Sequence, residues 1–569
     1  MWLLLACPRA PDDGLRVPTD TGSVPDPRHT GSAPGHSAEP PTGDTGVAAH
    51  TGPPVEELVA TPGPGAYAGP VEVDLGGVTG AIVYTIDGSV PEFGVSPEWT
   101  GPLALSESTL IRARGRTATG DEVGFAGVWL QLDPSLATFD GELPVLVFWS
   151  VAEAPADLSD TYSSYTLTVF EPGAGARTVL PGEGTNSGRA GIRVRGSSSA
   201  WYPKRPYRVE LWDDLDDGDR TVRLLGMDED GDWVLGAPAD FDRALMRNSL
   251  MYALSNDAGR WAPRTTFAEV FVAERREAVG YDDYVGVYEV TDRIEPHPDR
   301  VPITELLPGD VAPPAVTGGY LFKEDRLPSG ETGFSAGTSG GLSFQQPFVW
   351  ESPSEAEVAP EQRDFLVGEL DELGVALTSP GFVHPVTGRS YQDIVDVDAF
   401  IDHHALNLFA KNPDAFRLSG YFFQERSEKL QAGPIWDFDR TLGCASDDRA
   451  ADPTWWDASN ETGDCTYMFD HGFWGGLFDD PVFRDRYFAR LQVLLDGPLS
   501  VGSVHARIDA YAAQLDEAAP RNLTQWPDWQ PRGGTFQAEV DLLKDWVAQR
   551  HAWMEGCLAL PDPRTCRGS

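Results

Sequence analysis

The chain has 569 residues, 41% hydrophobic and 10% aromatic with 17 Trp, enough to fold as two to four domains with a large core. Lys plus Arg is 43 against 88 Asp plus Glu, a formal charge of −45, which argues against a nucleic-acid partner because such a surface repels phosphate backbones. No stretch approaches the ~18 apolar residues of a membrane span, so any membrane tie must be an anchor.

The chain opens Met1-Trp2-Leu3-Leu4-Leu5-Ala6-Cys7 and then turns polar at Pro8-Arg9-Ala10-Pro11. Leu4-Leu5-Ala6-Cys7 resembles a bacterial lipobox, which makes Cys7 the expected lipidation site and residues 1–7 a signal remnant. The basic n-region and longer h-region of a full signal are missing, so the expected start lies upstream. Residues 8–57 consist mainly of Pro, Gly, Thr, Asp, Ser and Ala, with Thr-Gly recurring, and carry too little apolar surface to offset the entropy of ordering. They read as a flexible stalk holding the folded part away from a membrane. The expected location is therefore that of an exported lipoprotein, at the periplasmic face or cell surface, touching the membrane through its anchor only.

From 58 to 135 the texture is all-β: Val71 to Leu75, Ala81 to Ile86 and Thr109 to Arg114, bounded by Gly or Pro, with Asp87-Gly88 at a tight turn. Tyr84-Thr85-Ile86-Asp87-Gly88-Ser89-Val90-Pro91, Trp99-Thr100-Gly101-Pro102 and Ile111-Arg112-Ala113 resemble the β-sandwich at the C-terminus of chitobiases and β-hexosaminidases. That resemblance implies a small immunoglobulin-like accessory sandwich without catalytic residues, a spacer in the first place and a contact for cell-surface polysaccharide in the second.

Residues 138–560 read as one large region, followed by a tail at 561–569. Strands are expected at Leu143 to Trp149, Tyr165 to Phe170, Gly191 to Gly196, Phe267 to Ala273 and Val285 to Thr291. Helices are expected at Arg243 to Asn256, after the cap Asp480-Pro481, and from Thr535 to Met554. Strands first and helices later make this α+β in two lobes. Cys444 with Cys465 and Cys557 with Cys566 are spaced as local disulfides; no Cys-x-x-Cys supports zinc instead. His403-His404 is the only adjacent histidine pair, explained by a helix surface as well as by a metal, and Trp201, Trp233 and Trp436 read as core.

The chemistry concentrates between Phe409 and Gly443. Asp414 and Asp437 lie 23 positions apart and flank a hairpin-like segment, Tyr421-Phe422-Phe423 returning through Pro434-Ile435-Trp436. Both carboxylates can then reach one cleft, a phosphoryl-transfer arrangement in which one orients a hydroxyl and the other holds Mg²⁺. Taken without any relative, Asp414 is equally a turn-former and Asp437 a hairpin-end carboxylate.

Lys411-Asn412-Pro413-Asp414-Ala415-Phe416-Arg417-Leu418-Ser419 with Gly433-Pro434-Ile435-Trp436-Asp437-Phe438-Asp439 resembles the paired signature of the CotH kinase family, spore coat protein H and its relatives. Supporting blocks run in the family's order: Arg195-Gly196-Ser197-Ser198-Ser199-Ala200-Trp201, Lys204-Arg205-Pro206-Tyr207, Met246-Arg247-Asn248, Gly286-Val287-Tyr288, and Gly318 to Lys323. The resemblance implies an atypical secreted protein kinase that uses ATP with Mg²⁺ or Mn²⁺ to phosphorylate Ser or Thr of a coat or cell-surface protein. It implies Asp414 as the catalytic residue and Asp437, with Asp439 beside it, as the metal position. Lys204, or Lys323 in its place, would contact ATP, with Arg195 and the small-residue run containing Ser197 and Ser198 at the phosphates. Two positions depart from the family: Arg417-Leu418-Ser419 stands where relatives carry an Asn metal ligand, and Asp292 where they often carry Glu.

Competing readings are a degenerate kinase fold serving as an envelope scaffold or adhesin, and a haloacid-dehalogenase-type phosphatase starting at Asp437-Phe438-Asp439-Arg440-Thr441. The phosphatase motif lacks the uninterrupted apolar strand it needs, because Gly433-Pro434 breaks the approach, and the stretch after it reads as helical and Cys-bearing. A carbohydrate-active enzyme lacks a recognisable carboxylate pair.

Overall fold

The computed structural model describes residues 56–566 apart from 153–154, 160, 174, 217, 275–276, 460–464 and 467. Cys7 and almost all of the expected stalk lie outside the described residues. The chain is mixed α/β, with sandwich-like sheets at the N-terminal side and helices in the C-terminal part.

Seven short strands open the fold: β1 (Val59–Thr61), β2 (Gly65–Tyr67), β3 (Val71–Gly76), β4 (Ile82–Thr85), β5 (Leu103–Leu105), β6 (Thr109–Arg116) and β7 (Glu122–Gln131). They form two facing sheets, β1-β3-β5 and β2-β7-β6-β4, the second extended at β2 by the two residues Gly182–Glu183. In β3 the apolar residues alternate, so Val73 and Leu75 point inward onto Ile111, Ala113 and Trp129 while Glu72 and Asp74 face out. The Asp87-Gly88 turn is present, with Ser89 N–H donating to the Asp87 carboxylate at 3.0 Å.

Next comes a closed barrel of seven strands: β8 (Val145–Ser150), β9 (Ser163–Phe170), β10 (Asn186–Val194), β11 (Tyr207–Trp212), β12 (Asp232–Gly236), β13 (Thr265–Ala273) and β14 (Tyr284–Asp292). Their order is β9-β10-β11-β12-β14-β13-β8, antiparallel except where β8 closes against β13 in parallel. The unbroken apolar run of β8 is explained by burial on both faces. Leu146 and Phe148 fill the barrel, whereas Val145, Val147 and Trp149 pack with Leu110, Val128 and Leu130 of the sandwich.

A four-stranded sheet follows, in which β15 (Tyr320–Glu324) lies between β16 (Phe348–Ser352) and β17 (Gly420–Gln424), with β18 (Gln431–Ala432) at the edge. The hairpin after Asp414 thus returns at Gln431–Ala432 and not through Pro434-Ile435-Trp436, where proline has no N–H to offer a ladder. The helices are α1 (Arg247–Asp257), α2 (Pro360–Thr378), α3 (Tyr391–Ile394), α4 (Val397–Ala410), α5 (Gly472–Asp479), α6 (Pro481–Asp496), α7 (Val501–Leu515), α8 (Ala518–Gln525) and α9 (Phe536–Leu558). Asp480 caps α6 by accepting from Val482 N–H, and Thr535 caps α9 by accepting from Ala538 N–H. Helices and sheet share one continuous core that runs from Leu143 to Cys557.

Four expectations need correction. Cys444 is a free, buried thiol whose Sγ–H points at the Asp447 carbonyl at 3.4 Å, so the Cys444–Cys465 disulfide is not formed; the Cys465 side chain lies outside the described residues. Cys557–Cys566 is formed and ties the segment after α9 back to that helix. His403 and His404 sit in the core and not on a helix surface: His404 bridges Tyr487 Oη at 2.7 Å and the Met468 carbonyl at 2.6 Å. Trp233 is core, but Trp201 is 82% exposed on the 3-10 turn Ser199–Trp201. Among the described residues the stretch after Asp437 holds turns, one 3-10 turn at Asp448–Ala450 and the short paired strands Ala458–Ser459 and Cys465–Thr466, with no α-helix before α5.

Candidate functional site

Two segments carry the expected carboxylates, and one side chain joins them. α4 ends at Lys411, whose left-handed backbone turns the chain into Asn412-Pro413-Asp414. The Asn412 carbonyl oxygen accepts from Asp414 N–H at 3.0 Å, and its amide donates to the Asp437 carbonyl at 3.4 Å and to Asn407 at 3.0 Å. From the other side, α1 grips the second segment: Asn248 accepts from Phe438 N–H at 2.7 Å and Tyr252 Oη from Asp437 N–H at 3.3 Å. Trp436 stacks on Tyr252 with ring centroids 5.5 Å apart.

Backbone strain gathers here. Ten described residues other than glycine have positive φ, and five of them, Lys411, Phe416, Ser419, Asp437 and Leu442, lie in these two segments. Asp437 itself has φ 68°, a conformation costly for a side chain with a Cβ and sustained only where neighbours over-determine it.

Asp414 is 8% exposed and lies among three guanidinium groups. Arg417 donates to its carboxylate, Arg449 approaches at 3.6 Å and Arg440 at 3.9 Å. Asp447 anchors two of those arginines, Arg440 at 3.0 Å and Arg449 through a bidentate pair. Asp437 and Asp439 are half-buried, and neither carboxylate receives a hydrogen bond among the described residues. Burial, then the charges of Asp414 and Asp325, push the Asp437 carboxyl up to about 6, against the pull of Arg195 and Arg440. Burial and Asp437 hold Asp439 well above the usual carboxylate range.

This donor set fits a divalent cation completed by phosphate oxygens. No group of three or more His, Cys, Asp or Glu side chains arranged to hold a metal ion occurs among the described residues, so there is no all-protein cage. Mg²⁺ is commonly held in another way, by one or two carboxylates together with substrate phosphates and water. Two carboxylates raised by burial and by neighbouring carboxylates, with no hydrogen-bond donor among the described residues, are short of positive charge, which such an ion would supply.

Arg195 and Arg326 flank the small-residue run on its two sides. Arg195 lies over Trp436 at 5.3 Å, and exposed Arg326 donates to Ser197 Oγ at 3.4 Å; neither makes an ion pair among the described residues. Ser198 is exposed beside them. Gly196 has φ 97°, and a Cβ there would meet Ser199 Oγ at 2.2 Å, so only glycine allows this tight turn.

Both candidate lysines are held by protein partners. Lys204 is 1% exposed; its ammonium donates to the Pro238 carbonyl at 2.8 Å and to Asn522 of α8 at 2.9 Å. Burial lowers it to about 7 despite Glu289 and Asp242. Lys323, on β15, is ion-paired to Glu351 at 2.8 Å and Asp325 at 3.2 Å. Burial alone would pull it down, yet Glu351, Tyr421 and Asp325 hold it well above its ordinary range. Asp325 therefore links Lys323 to the electrostatics of Asp437.

Asp292 is not on this site. It is fully buried against Arg264 at 2.8 Å as a structural pair at the end of β14. The carboxylate of β14 that faces the site is Glu289, bonded to Ser249 N–H at 2.9 Å and to the Asn248 amide at 3.3 Å. Asn412, Asn248, Asp325, Arg326, Arg440 and Arg449 were not singled out from the sequence. Only Asn412 carried a local signal, an Asx-Pro turn two positions before Asp414.

Residues 192–554 match the family model described as CotH kinase protein, and residues 62–123 match that of the chitobiase/beta-hexosaminidase C-terminal domain. No curated protein matches the chain. With its paired Asp414 and Asp437 segments inside a match that spans well over half its length, the chain belongs to the CotH kinase family and carries a chitobiase-type domain ahead of the kinase domain.

Proposed function

We propose that this chain is an ATP- and divalent-metal-dependent protein kinase acting on Ser or Thr of a cell-surface or coat protein. The observation that carries the reading is the convergence of Asp414 and Asp437 on Asn412, with no donor to the Asp437 or Asp439 carboxylate among the described residues. In this reading the barrel and the helical part act as two lobes with the nucleotide between them. Asp437 and Asp439 would hold Mg²⁺ or Mn²⁺, which supplies charge neutralisation to the triphosphate. Arg195, Arg326 and the exposed Ser197 and Ser198 would take the phosphates, and Asp414 would orient the acceptor hydroxyl. Lys204 acts by holding α8 against the barrel, and Lys323 by setting Asp325 beside Asp437. Lipidation at Cys7 would tether the exported chain to a membrane, with the chitobiase-type domain as spacer.

The test is ATP binding and autophosphorylation by the full chain with Mg²⁺ or Mn²⁺. Asp414→Asn is expected to abolish transfer and leave ATP binding near the parent value, as measured by calorimetry. No nucleotide binding with either metal, in folded protein, would overturn the kinase reading.

A second reading rests on the arginines around Asp414, because Arg417, Arg440 and Arg449 crowd its carboxylate and occupy the side an acceptor hydroxyl would need. It makes the chain a degenerate kinase fold serving as an envelope scaffold. Arg417→Ala separates the two. If Arg417 positions Asp414, transfer falls roughly ten- to a hundredfold, the scale of one charge-assisted hydrogen bond, while ATP affinity is kept. If Arg417 blocks Asp414, transfer rises in single-turnover assays.

A further inference from the structure

In β10 and β11 the alternate residues Ile192, Val194, Tyr207 and Val209 fill the barrel, so Arg193 and Arg208 point outward, directly opposite one another across the ladder. Arg195 follows on the same face, its N–H donating to the Pro206 carbonyl at 3.0 Å. Like charges directly opposite on neighbouring strands destabilise a sheet. A chain with 88 Asp plus Glu has ample carboxylates to relieve them, yet Arg208 receives none.

The carboxylates around it are engaged with other partners. Glu210 accepts from Trp212 Nε1 at 3.0 Å, Asp232 pairs with Arg293 at 3.0 Å, and Glu351 pairs with Lys323 at 2.8 Å. Arg193 donates to the Ser159 carbonyl at 3.2 Å and lies over the Tyr162 ring. Arg208 is half-buried and makes no hydrogen bond or ion pair among the described residues. Burial, then the charges of Arg293 and Arg195, hold its guanidinium below the ordinary arginine range. A partly desolvated cation with cationic neighbours and no counter-ion is unfavourable, and an anion bound beside it removes that penalty.

We propose that Arg208, together with Arg195, binds the α-phosphate of the nucleotide without help from the metal. The assignment rests on the kinase reading and extends it by one binding residue. Arg195 lies over the ring of Trp436, the residue before Asp437, and its charge acts on Asp437 and on Arg208 alike. With Asp437 and Asp439 placing a cation at the β- and γ-phosphates, the α-phosphate falls to the guanidinium beyond Arg195. Two guanidinium forks suit its oxygens, since each can donate a pair of parallel N–H groups. Lys204 is not free to take this place, because its ammonium is committed to Pro238 and Asn522.

Calorimetric titration of the full chain in EDTA with AMP, ADP, adenosine and inorganic phosphate tests the assignment. Arg208→Met is expected to weaken AMP and ADP roughly ten- to a hundredfold, the scale of charge-assisted hydrogen bonds, and to leave adenosine at the parent affinity. Arg208→Lys, which keeps the charge but not the fork, should fall between Arg208→Met and the parent. Arg205→Met, at a neighbouring exposed arginine, should change nothing. AMP unmoved in Arg208→Met while ADP weakens would place the residue at another phosphate, and adenosine weakened equally would make its role structural; either overturns the proposal. So does AMP bound no more tightly than inorganic phosphate, which would assign the pair to free phosphate. A parent chain that binds ATP with Mg²⁺ but neither AMP nor ADP in EDTA, or binds them indifferently to Arg208, refutes this assignment and leaves the kinase reading standing. No nucleotide binding with or without metal refutes both.

Discussion

Asp437→Asn is expected to remove phosphotransfer by roughly 10³-fold or more, the scale on which loss of a transition-state charge contact acts. The side chain is nearly isosteric, and the backbone contacts that hold its left-handed conformation come from Tyr252, Asn412 and Phe438 N–H to Asn248, so the fold should persist. What changes is charge. In the parent chain the Asp437 carboxyl is pushed up to about 6, whereas an unfolded Asp titrates near ~3.9. Between those values the native state binds more protons than the unfolded one, so stability falls as pH rises from about 4 through 6. A divalent cation must displace the same proton. Mg²⁺ or Mn²⁺ should therefore raise the melting temperature above pH 6 and do little at pH near ~4.5. Asp437→Asn should weaken the metal-induced shift sharply and flatten its share of the pH dependence. Transfer that survives at the parent rate in a folded Asp437→Asn protein would rule out the metal role.

Local chemistry was legible in the sequence, and long-range closure was not. The cap at Asp480-Pro481 and the start of α9 at Thr535 rest on side chains within three residues of the helix they begin, so they are found where expected. Strands such as β3 and β6 follow from runs of apolar and β-branched residues bounded by turns. The helix expected from Arg243 starts instead at Arg247, because the Asp242 carboxylate takes the Arg247 N–H and guanidinium and holds the intervening residues in a turn. Closure of the barrel by β8 against β13 joins residues over 120 positions apart and leaves no local mark. The pair Cys557–Cys566 was readable from nine positions of separation, but Cys444 was not, since its partnering depends on which elements surround it. At the site, Asp414 and Asp437 stand in recognisable motifs. The arginines that govern Asp414 do not, because Arg449 reaches it across a turn 35 positions away. Lys204 is a related case: nothing near it in the sequence marks that α8, more than 300 positions later, covers it and supplies Asn522.

Arg247→Met is expected to destabilise the protein by about 3–5 kcal/mol, and the double change with Asp242→Leu to recover most of that loss. Both residues are wholly buried, and Arg247 meets Asp242 at 2.7 Å, the Thr441 carbonyl at 3.0 Å and Glu539 of α9 at 3.7 Å. One side chain thus fastens α1 to the segment that follows Asp437 and to the last helix. Removing it alone leaves the Asp242 carboxylate buried without its counter-charge, and burial already raises that carboxyl despite the arginine. Removing both replaces a desolvated ion pair with apolar volume, which the interior tolerates. Activity should not follow stability. The double variant regains a folded core but loses the Arg247 contact to Thr441, so Asp437 keeps Asn248 and Tyr252 while the turn behind it loosens. Denaturant unfolding beside metal-dependent ATP binding measures both quantities. Recovery of stability without recovery of binding would establish that α1 positions the Asp437 segment through Arg247; recovery of both would assign the pair to stability alone, and a single variant less than ~1 kcal/mol from the parent would refute the buried-charge argument.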